Sequence, residues 1–380
     1  MRVLHVITGL GVGGAEHQLR LLLRRLPHES EVVALTNPGP VADAVRADGT
    51  PVHVLHMRGN RDLSAVGRLA RLMRAGQFDL VHTHLYRACV YGRIAARLAG
   101  VPYVVATEHS LGDGLVEGRP TSRAVRSLYL ATERLGQATI AVSDAVARRL
   151  AAWGVRRERI EVVPNGIDAA ELRYDPDLRR AVRAGLGIAE DARVVGAIGR
   201  LVPTKRFDLL VRAMTRLPDA ILLVVGDGPE RGVLENLVRE LRLGRRVLFA
   251  GSTPYPRPAL CAMDVFAAPS VQETFGMAVL EALAAGLPAL YVTCPPLAEL
   301  SPGAAPRAVR LAADEASFAG ALRAELAGLD LRGGARLPVP AAVAHYDVAR
   351  LADGVGRCYE RVARGRRPVS TYRPVESEGS

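Results

Sequence analysis

The chain has 380 residues, 49% of them apolar and 23% charged, with a formal net charge of +11. Such a length suits two domains of about 150–200 residues, and the balance excludes a disordered chain, a fibre or a disulfide-scaffolded miniature. An aromatic share of 4%, with no recognisable binding module, argues against nucleic acid as the partner of the positive charge.

Met1 to Thr8 runs straight into a glycine turn and is read as a first strand, not a signal peptide. Further strands are expected at about 31–36, 51–55, 79–83, 102–107 and 138–142, with helical patterns between them and a loop from His109 to Pro120. A second series follows near 193–198, 220–226, 246–250, 264–268, 289–292 and 308–311. Near-continuous apolar strands alternating with helices predict α/β architecture: two doubly wound parallel sheets, each covered on both faces. The joint is expected at Val163-Pro164-Asn165-Gly166-Ile167-Asp168, giving an N-terminal domain over 1–165 and a C-terminal domain over 166–339. A last helical stretch over about 340–364 can return to the first domain, and 366–380 reads as a loose tail. The longest apolar run, Met277 to Thr293, is interrupted by Glu281, Gly286 and Pro288 and is no membrane span. Cys89, Cys261, Cys294 and Cys358 show neither pairing nor metal spacing, so a cytoplasmic location is expected.

Three stretches carry chemistry. Gly9-Leu10-Gly11-Val12-Gly13-Gly14 spells G-x-G-x-x-G between a strand and a helix. A dinucleotide-binding oxidoreductase would place an acid at the end of the second strand; here that end is Thr36 and Asn37, while Glu29 and Glu31 stand at its start. A structural turn, or a loop facing a phosphate or an acceptor, remains. Gly199-Arg200-Leu201-Val202-Pro203-Thr204-Lys205-Arg206 brings cations to the carboxyl end of a strand, where such folds bind ligands. Lys205 is the single lysine among 50 basic side chains. In a chain so biased to arginine, a retained lysine points to a compact charge that arginine cannot replace. Finally, Glu273 and Glu281 are separated by seven residues, around Thr274-Phe275-Gly276-Met277 at the start of an alanine-rich helix. A helix start offers N–H groups to a diphosphate, and a carboxylate among apolar neighbours needs donors such as a vicinal diol.

With Gly11 to Glu16, Asp79 to His84, Thr107-Glu108-His109, Val142-Ser143, Gly226-Asp227-Gly228 and the joint, these motifs cover nearly the whole chain. On them it resembles the retaining GT-B glycosyltransferases of family four, whose E-x7-E signature Glu273 and Glu281 match. The resemblance implies two Rossmann-like domains facing each other across a cleft that closes on the donor. It implies transfer of a sugar from a UDP- or GDP-sugar to an acceptor hydroxyl on a glycan or lipid-linked acceptor. Arg200 and Lys205 would hold the diphosphate, Glu281 the ribose and Glu273 the transferred sugar. Thr274, Phe275, Gly276 and Met277 would offer backbone amides, and His109 would reach the sugar near the reacting carbon. Gly13 and Gly14 would face the diphosphate or acceptor, and Glu16 the acceptor; His82 and His84 are read first as strand-end residues. Pro295 and Pro296 stand where the family often has two glycines, removing N–H donors there. No cofactor or metal is expected: no Asp-x-Asp motif is read, and Asp227 and Asp264 are taken as isolated acids. The alternatives are a sugar-nucleotide epimerase of similar fold and a non-catalytic sugar-nucleotide-binding protein. Residues 1–165 hold +8 of the +11, which suggests an anionic membrane surface as a further partner of the first domain.

Overall fold

The computed structural model describes residues 1–112, 114–117, 119–328 and 336–365; the tail expected over 366–380 lies outside these. The chain forms two units. One comprises residues 1–166 and returns from Val348 onward; the other spans Ile167–Asp347.

The first unit is built on seven strands in the spatial order Val52–Val54, Glu29–Ala34, Arg2–Ile7, Leu80–His84, Tyr103–Glu108, Ala138–Ala141 and Ile160–Val162. Every pairing in it is parallel. The central strands are buried along nearly their whole length, as helices on both faces require. One face carries Ser64–Gly76 and Tyr86–Ala99, packed through Leu69, Met73, Val90 and Ala95 onto Leu4, Val6 and Val81. The other carries Val348–Ala363, whose Leu351, Val355, Cys358 and Tyr359 meet Val3, Leu80, Val105 and Ile140. Two details depart from the sequence expectation. The interval after His109 contains a small antiparallel ribbon, Leu115–Val116 with Arg119–Pro120, and a seventh strand, Ile160–Val162, precedes the joint.

The second unit repeats the plan with six strands in the order Val247–Phe249, Ala220–Val225, Arg193–Ile198, Val265–Ala268, Ala289–Tyr291 and Ala308–Arg310, again all parallel. Both sheets therefore reverse strand order beside their first strand, which opens a crevice at the carboxyl ends of the strands, the usual ligand position in open α/β sheets. The helical stretch expected over 340–364 is two helices, Ala341–His345 and Val348–Ala363. Val343 and Tyr346 join the second unit's core, and Ile167 pairs with Asp347, so both chain crossings lie side by side. At the first crossing the Gln18 side chain donates to the Gly166 carbonyl (2.8 Å) and accepts from its N–H (2.7 Å). All four cysteines are buried free thiols. Among the described residues no helix is long and apolar enough to cross a membrane.

Candidate active site

In the second unit, three loops meet at the crevice. Leu201 donates from its N–H to the Asp227 carbonyl (2.9 Å), and Val271 to the Thr204 carbonyl (3.0 Å). Gly226 has φ of +146°, and a Cβ there would lie 1.9 Å from the Gly199 carbonyl oxygen, so only glycine lets the two turns touch. This stitching brings residues 68 positions apart together: the Lys205 ammonium donates to Glu273 Oε1 at 2.5 Å, both side chains remaining partly exposed. Arg200 stands exposed on the same loop.

Gly276, with φ of +97°, opens the helix Met277–Ala284; a Cβ there would meet Cys294 Sγ at 3.0 Å. Phe275 is a core residue, edge-on to Tyr346, which leaves it only a backbone amide to offer a ligand. Met277 and Thr274 are half-buried. Glu281 lies in the second turn of this helix, 8% exposed, and among the described residues no donor bonds its carboxylate. Burial pushes its pKa up to about 7. An acid buried without a partner is costly, which makes Glu281 a candidate site residue. Pro295 and Pro296 form the first turn of the short helix Pro295–Ala298, so this loop is helical where a glycine turn would leave free N–H groups.

Of the acids considered for a metal, Asp264 is fully engaged, accepting from Arg179 (2.7 Å), Arg183 (2.9 Å) and the Val194 N–H (2.8 Å). Asp227 closes its own turn on the Gly228 N–H (2.7 Å). One Asp-x-Asp sequence does occur, Asp175-Pro176-Asp177, but Asp175 is a helix cap that accepts from Asp177 and Leu178.

In the first unit the glycine loop is exposed at Val12, Gly13 and Gly14, and the helix begins at Gly14. The Glu16 carboxylate folds back over Gly13, where a Cβ would lie 2.4 Å from its Oε2. His109 follows directly on the strand Tyr103–Glu108 and bonds not to that loop but to His84, Nε2 to Nδ1 at 3.2 Å. His84 Nε2 in turn meets His5 Nδ1 at 3.1 Å. Burial lowers the pKa of His109 to about 4 and of His5 to about 3, and holds His82 and His84 well below the usual histidine range. All four rings are therefore neutral at pH 7. The His82 ring is bonded to the Tyr359 hydroxyl (2.6 Å) and to Thr107 Oγ1 (2.7 Å), tying the C-terminal helix to the sheet. His5 and Gln18 gave no signal in the sequence, because only register and the helix path reveal their partners.

These features define a class: two doubly wound domains, one carrying a cationic, carboxylate-bearing crevice, the GT-B architecture. The sequence model of Glycosyltransferase Family 4 matches residues 12–171, and that of Glycosyl transferases group 1 matches 179–302. Together they take in most of the chain, which belongs to the GT-B glycosyltransferases. It is 29% identical over 292 residues to the UDP-Gal:alpha-D-GlcNAc-diphosphoundecaprenol alpha-1,3-galactosyltransferase of Escherichia coli, spanning 70% of this chain and 72% of that protein. It is 35% identical over 236 residues to the D-inositol 3-phosphate glycosyltransferase of Nocardia farcinica, spanning 57% of this chain and about half (51%) of that one. The fold matches Anabaena HepE, solved in complex with UDP-glucose, with a TM-score of 0.81 over 95% of this chain and 99% of that one, at 23% identity.

Proposed function

We propose that this protein is a retaining, metal-independent glycosyltransferase that moves a hexosyl group from a UDP- or GDP-sugar to a hydroxyl of a glycan or lipid-linked acceptor. The observation that carries the reading is the buried, unpartnered Glu281 on the helix that follows the Lys205–Glu273 pair. A nucleotide ribose supplies the two donors that Glu281 lacks, and a diphosphate supplies the anion that Arg200 and Lys205 await. Breaking a sugar–phosphate bond leaves a cationic sugar and a more strongly anionic nucleotide, so the protein's task is electrostatic. Glu273 holds the Lys205 ammonium in place before the donor arrives; afterwards the ammonium stabilises the leaving diphosphate and Glu273 turns to the transferred sugar. The amides of Thr274 to Met277 add the helix N-terminus to the same anion.

On the first unit, His109 is assigned to the transferred sugar, Gly13 and Gly14 to the diphosphate or acceptor, and Glu16 to the acceptor. No protein nucleophile is assigned; attack by the acceptor on the face the diphosphate leaves accounts for retention. The Escherichia coli relative's name gives a diphosphoundecaprenol-linked acceptor, which supports a role in cell-surface glycan or glycolipid synthesis at the cytoplasmic face of a membrane. The test is a panel of UDP-, GDP- and ADP-sugars read first by thermal shift, then by release of nucleoside diphosphate with and without candidate acceptors. Acceptor-dependent release is expected without added metal and in the presence of chelator. Release or isomerisation without acceptor would overturn transfer in favour of hydrolysis or epimerisation.

A further inference from the structure

The histidines beneath His109 form a connected set. His5 and His84 lie on the adjacent strands Arg2–Ile7 and Leu80–His84, both essentially without solvent contact. Two hydrogen bonds join three rings in a row: His5 Nδ1 to His84 Nε2, and His84 Nδ1 to His109 Nε2. The outer nitrogens of the row, His5 Nε2 and His109 Nδ1, are buried and have no hydrogen-bond partner among the described residues.

A neutral imidazole carries one N–H and one bare nitrogen. Each bond in the row needs one of each, and His84 sits in both bonds. If His84 is protonated at Nδ1, it donates to His109 Nε2 and must accept from His5 Nδ1–H; His109 then carries its proton on Nδ1. If His84 is protonated at Nε2, it donates to His5 Nδ1 and accepts from His109 Nε2–H; His5 then carries its proton on Nε2. No third arrangement of three neutral rings makes both bonds. All three rings are Nδ1–H, or all three are Nε2–H.

We propose that His84 and His5 are positioning residues that couple the tautomer of His109 to their own through this row, so that the free Nδ1 of His109 is a donor when all three rings are Nδ1–H and an acceptor when all three are Nε2–H. This rests on the assignment of His109 to the transferred sugar for its consequence in catalysis, not for its existence. A metal ion is the competing occupant, since His5, His82 and His84 each offer a nitrogen within 4.8 Å of the others. Occupancy would require His82 to give up Tyr359 or Thr107, and it would bury a dication where, among the described residues, no carboxylate bonds to any of these rings. The row satisfies the same contacts at no such cost.

Long-range proton–nitrogen spectra of the full chain labelled with nitrogen-15 histidine test this directly, because they distinguish the two tautomers ring by ring. The ligand-free protein at pH 7 should show His5, His84 and His109 in one common tautomer. His84→Phe should leave His109 averaging between its two forms, while His84→Gln, whose amide offers a donor and an acceptor, should restore a single form. In transfer assays His84→Phe should lower kcat about tenfold with donor affinity unchanged, by analogy with the low end of the loss when the partner that orients a metal-bound histidine is removed. Different tautomers among the three rings, a doubly protonated ring, or saturable zinc binding lost in His84→Phe would overturn the proposal. Should His84→Phe fail to fold, the wild-type spectrum alone still decides the common tautomer. Undiminished transfer by His109→Ala would refute the role of His109 in the reaction while leaving the row itself standing.

Discussion

Lys205 and Glu281 are assigned different work, and their variants should fail differently. Lys205 is partly exposed, and its ion pair with Glu273 contributes little to folding, ~0–1 kcal/mol. Lys205→Ala should therefore melt like wild type while kcat falls by ~10²–10³, on the scale of losing an oxyanion donor. Lys205→Arg should also be impaired, since a forked guanidinium does not replace a point charge; full activity in steady-state assays would refute that reasoning. Glu281 is buried and unpaired, and burial raises its pKa to about 7 in the folded chain from the ordinary glutamate value of 4.5. Between these two values the unfolded chain is ionised and the folded one is not, so this group lowers stability as pH rises from about 4.5 to 7, and by a constant amount above that. Glu281→Gln should then raise stability at pH 8, by on the order of 2–3 kcal/mol, in denaturant titrations. The same variant should weaken binding of the nucleotide alone if a ribose diol donates to the carboxylate, as proposed. Binding that prefers the ionised form releases a proton below pH 7, so wild-type affinity should rise with pH up to about 7 and then level off. Calorimetry in two buffers of different ionisation enthalpy reads that proton; a flat profile, or equal affinity in Glu281→Gln, would remove the ribose assignment. Both residues were legible from sequence because their oddity is compositional: a lone lysine, and a glutamate in an alanine-rich helix. The bond between Lys205 and Glu273 was not, because it depends on how two loops are stitched together.

The same asymmetry holds for the elements. Strands such as Arg193–Ile198 and Ala220–Val225 were legible as unbroken apolar runs, since burial on both faces leaves no other composition open to them. Ile160–Val162 was not, being three residues long with a buried glutamate, Glu161, at its centre. Asp175-Pro176-Asp177 is the converse case, a pattern with a chemical reading that the fold uses as a helix cap. Glycines divide in the same way. At Gly226 an alanine would meet the Gly199 carbonyl at 1.9 Å with φ fixed at +146°. Gly226→Ala should cost ~2–4 kcal/mol and lower the melting temperature of the second unit by ~5–10 °C in calorimetry. Gly11 has open space within 4 Å of its would-be Cβ. Gly11→Ala should melt within ~1–2 °C of wild type, so any loss of transfer in that variant reports on a ligand and not on folding. A large melting shift would show instead that the G-x-G-x-x-G turn is there for its backbone alone.

Across the whole molecule, charge is the property least decided by the fold. The positive excess of the first unit includes Arg20, Arg24, Arg25, Arg68, Arg71, Arg74, Arg123 and Arg126. The structure spends part of this set internally: Arg20 pairs with Asp48 (2.6 Å) and Arg68 with Asp62 (2.9 Å), while Arg126 donates to the Trp153 carbonyl (2.8 Å). Those pairings were not legible, because the acids come from other elements or from the loop ahead of the helix. Exposed arginines also cluster on three neighbouring helices, Ser64–Gly76, Tyr86–Ala99 and Arg123–Glu133, linked by the bond from Arg74 to the Leu98 carbonyl and by that from Arg97 to the Leu135 carbonyl (3.1 Å). Arg71, Arg74, Arg97 and Arg123 are exposed there, together with Leu63 (75%), Leu98 (56%) and Leu128 (47%). Cations interleaved with exposed leucines suit a surface that is anionic outside and apolar within. At roughly 1 kcal/mol for each basic residue near such a surface, four would give reversible docking that salt weakens. Co-sedimentation with vesicles containing anionic lipid should retain the protein at low salt and release it at high salt. Arg71→Glu combined with Arg123→Glu should abolish retention with the melting temperature unchanged, as both side chains are free of ion pairs among the described residues. Equal binding to neutral vesicles, or none at low salt, would detach the first unit from the membrane and move the search for the acceptor to small soluble molecules.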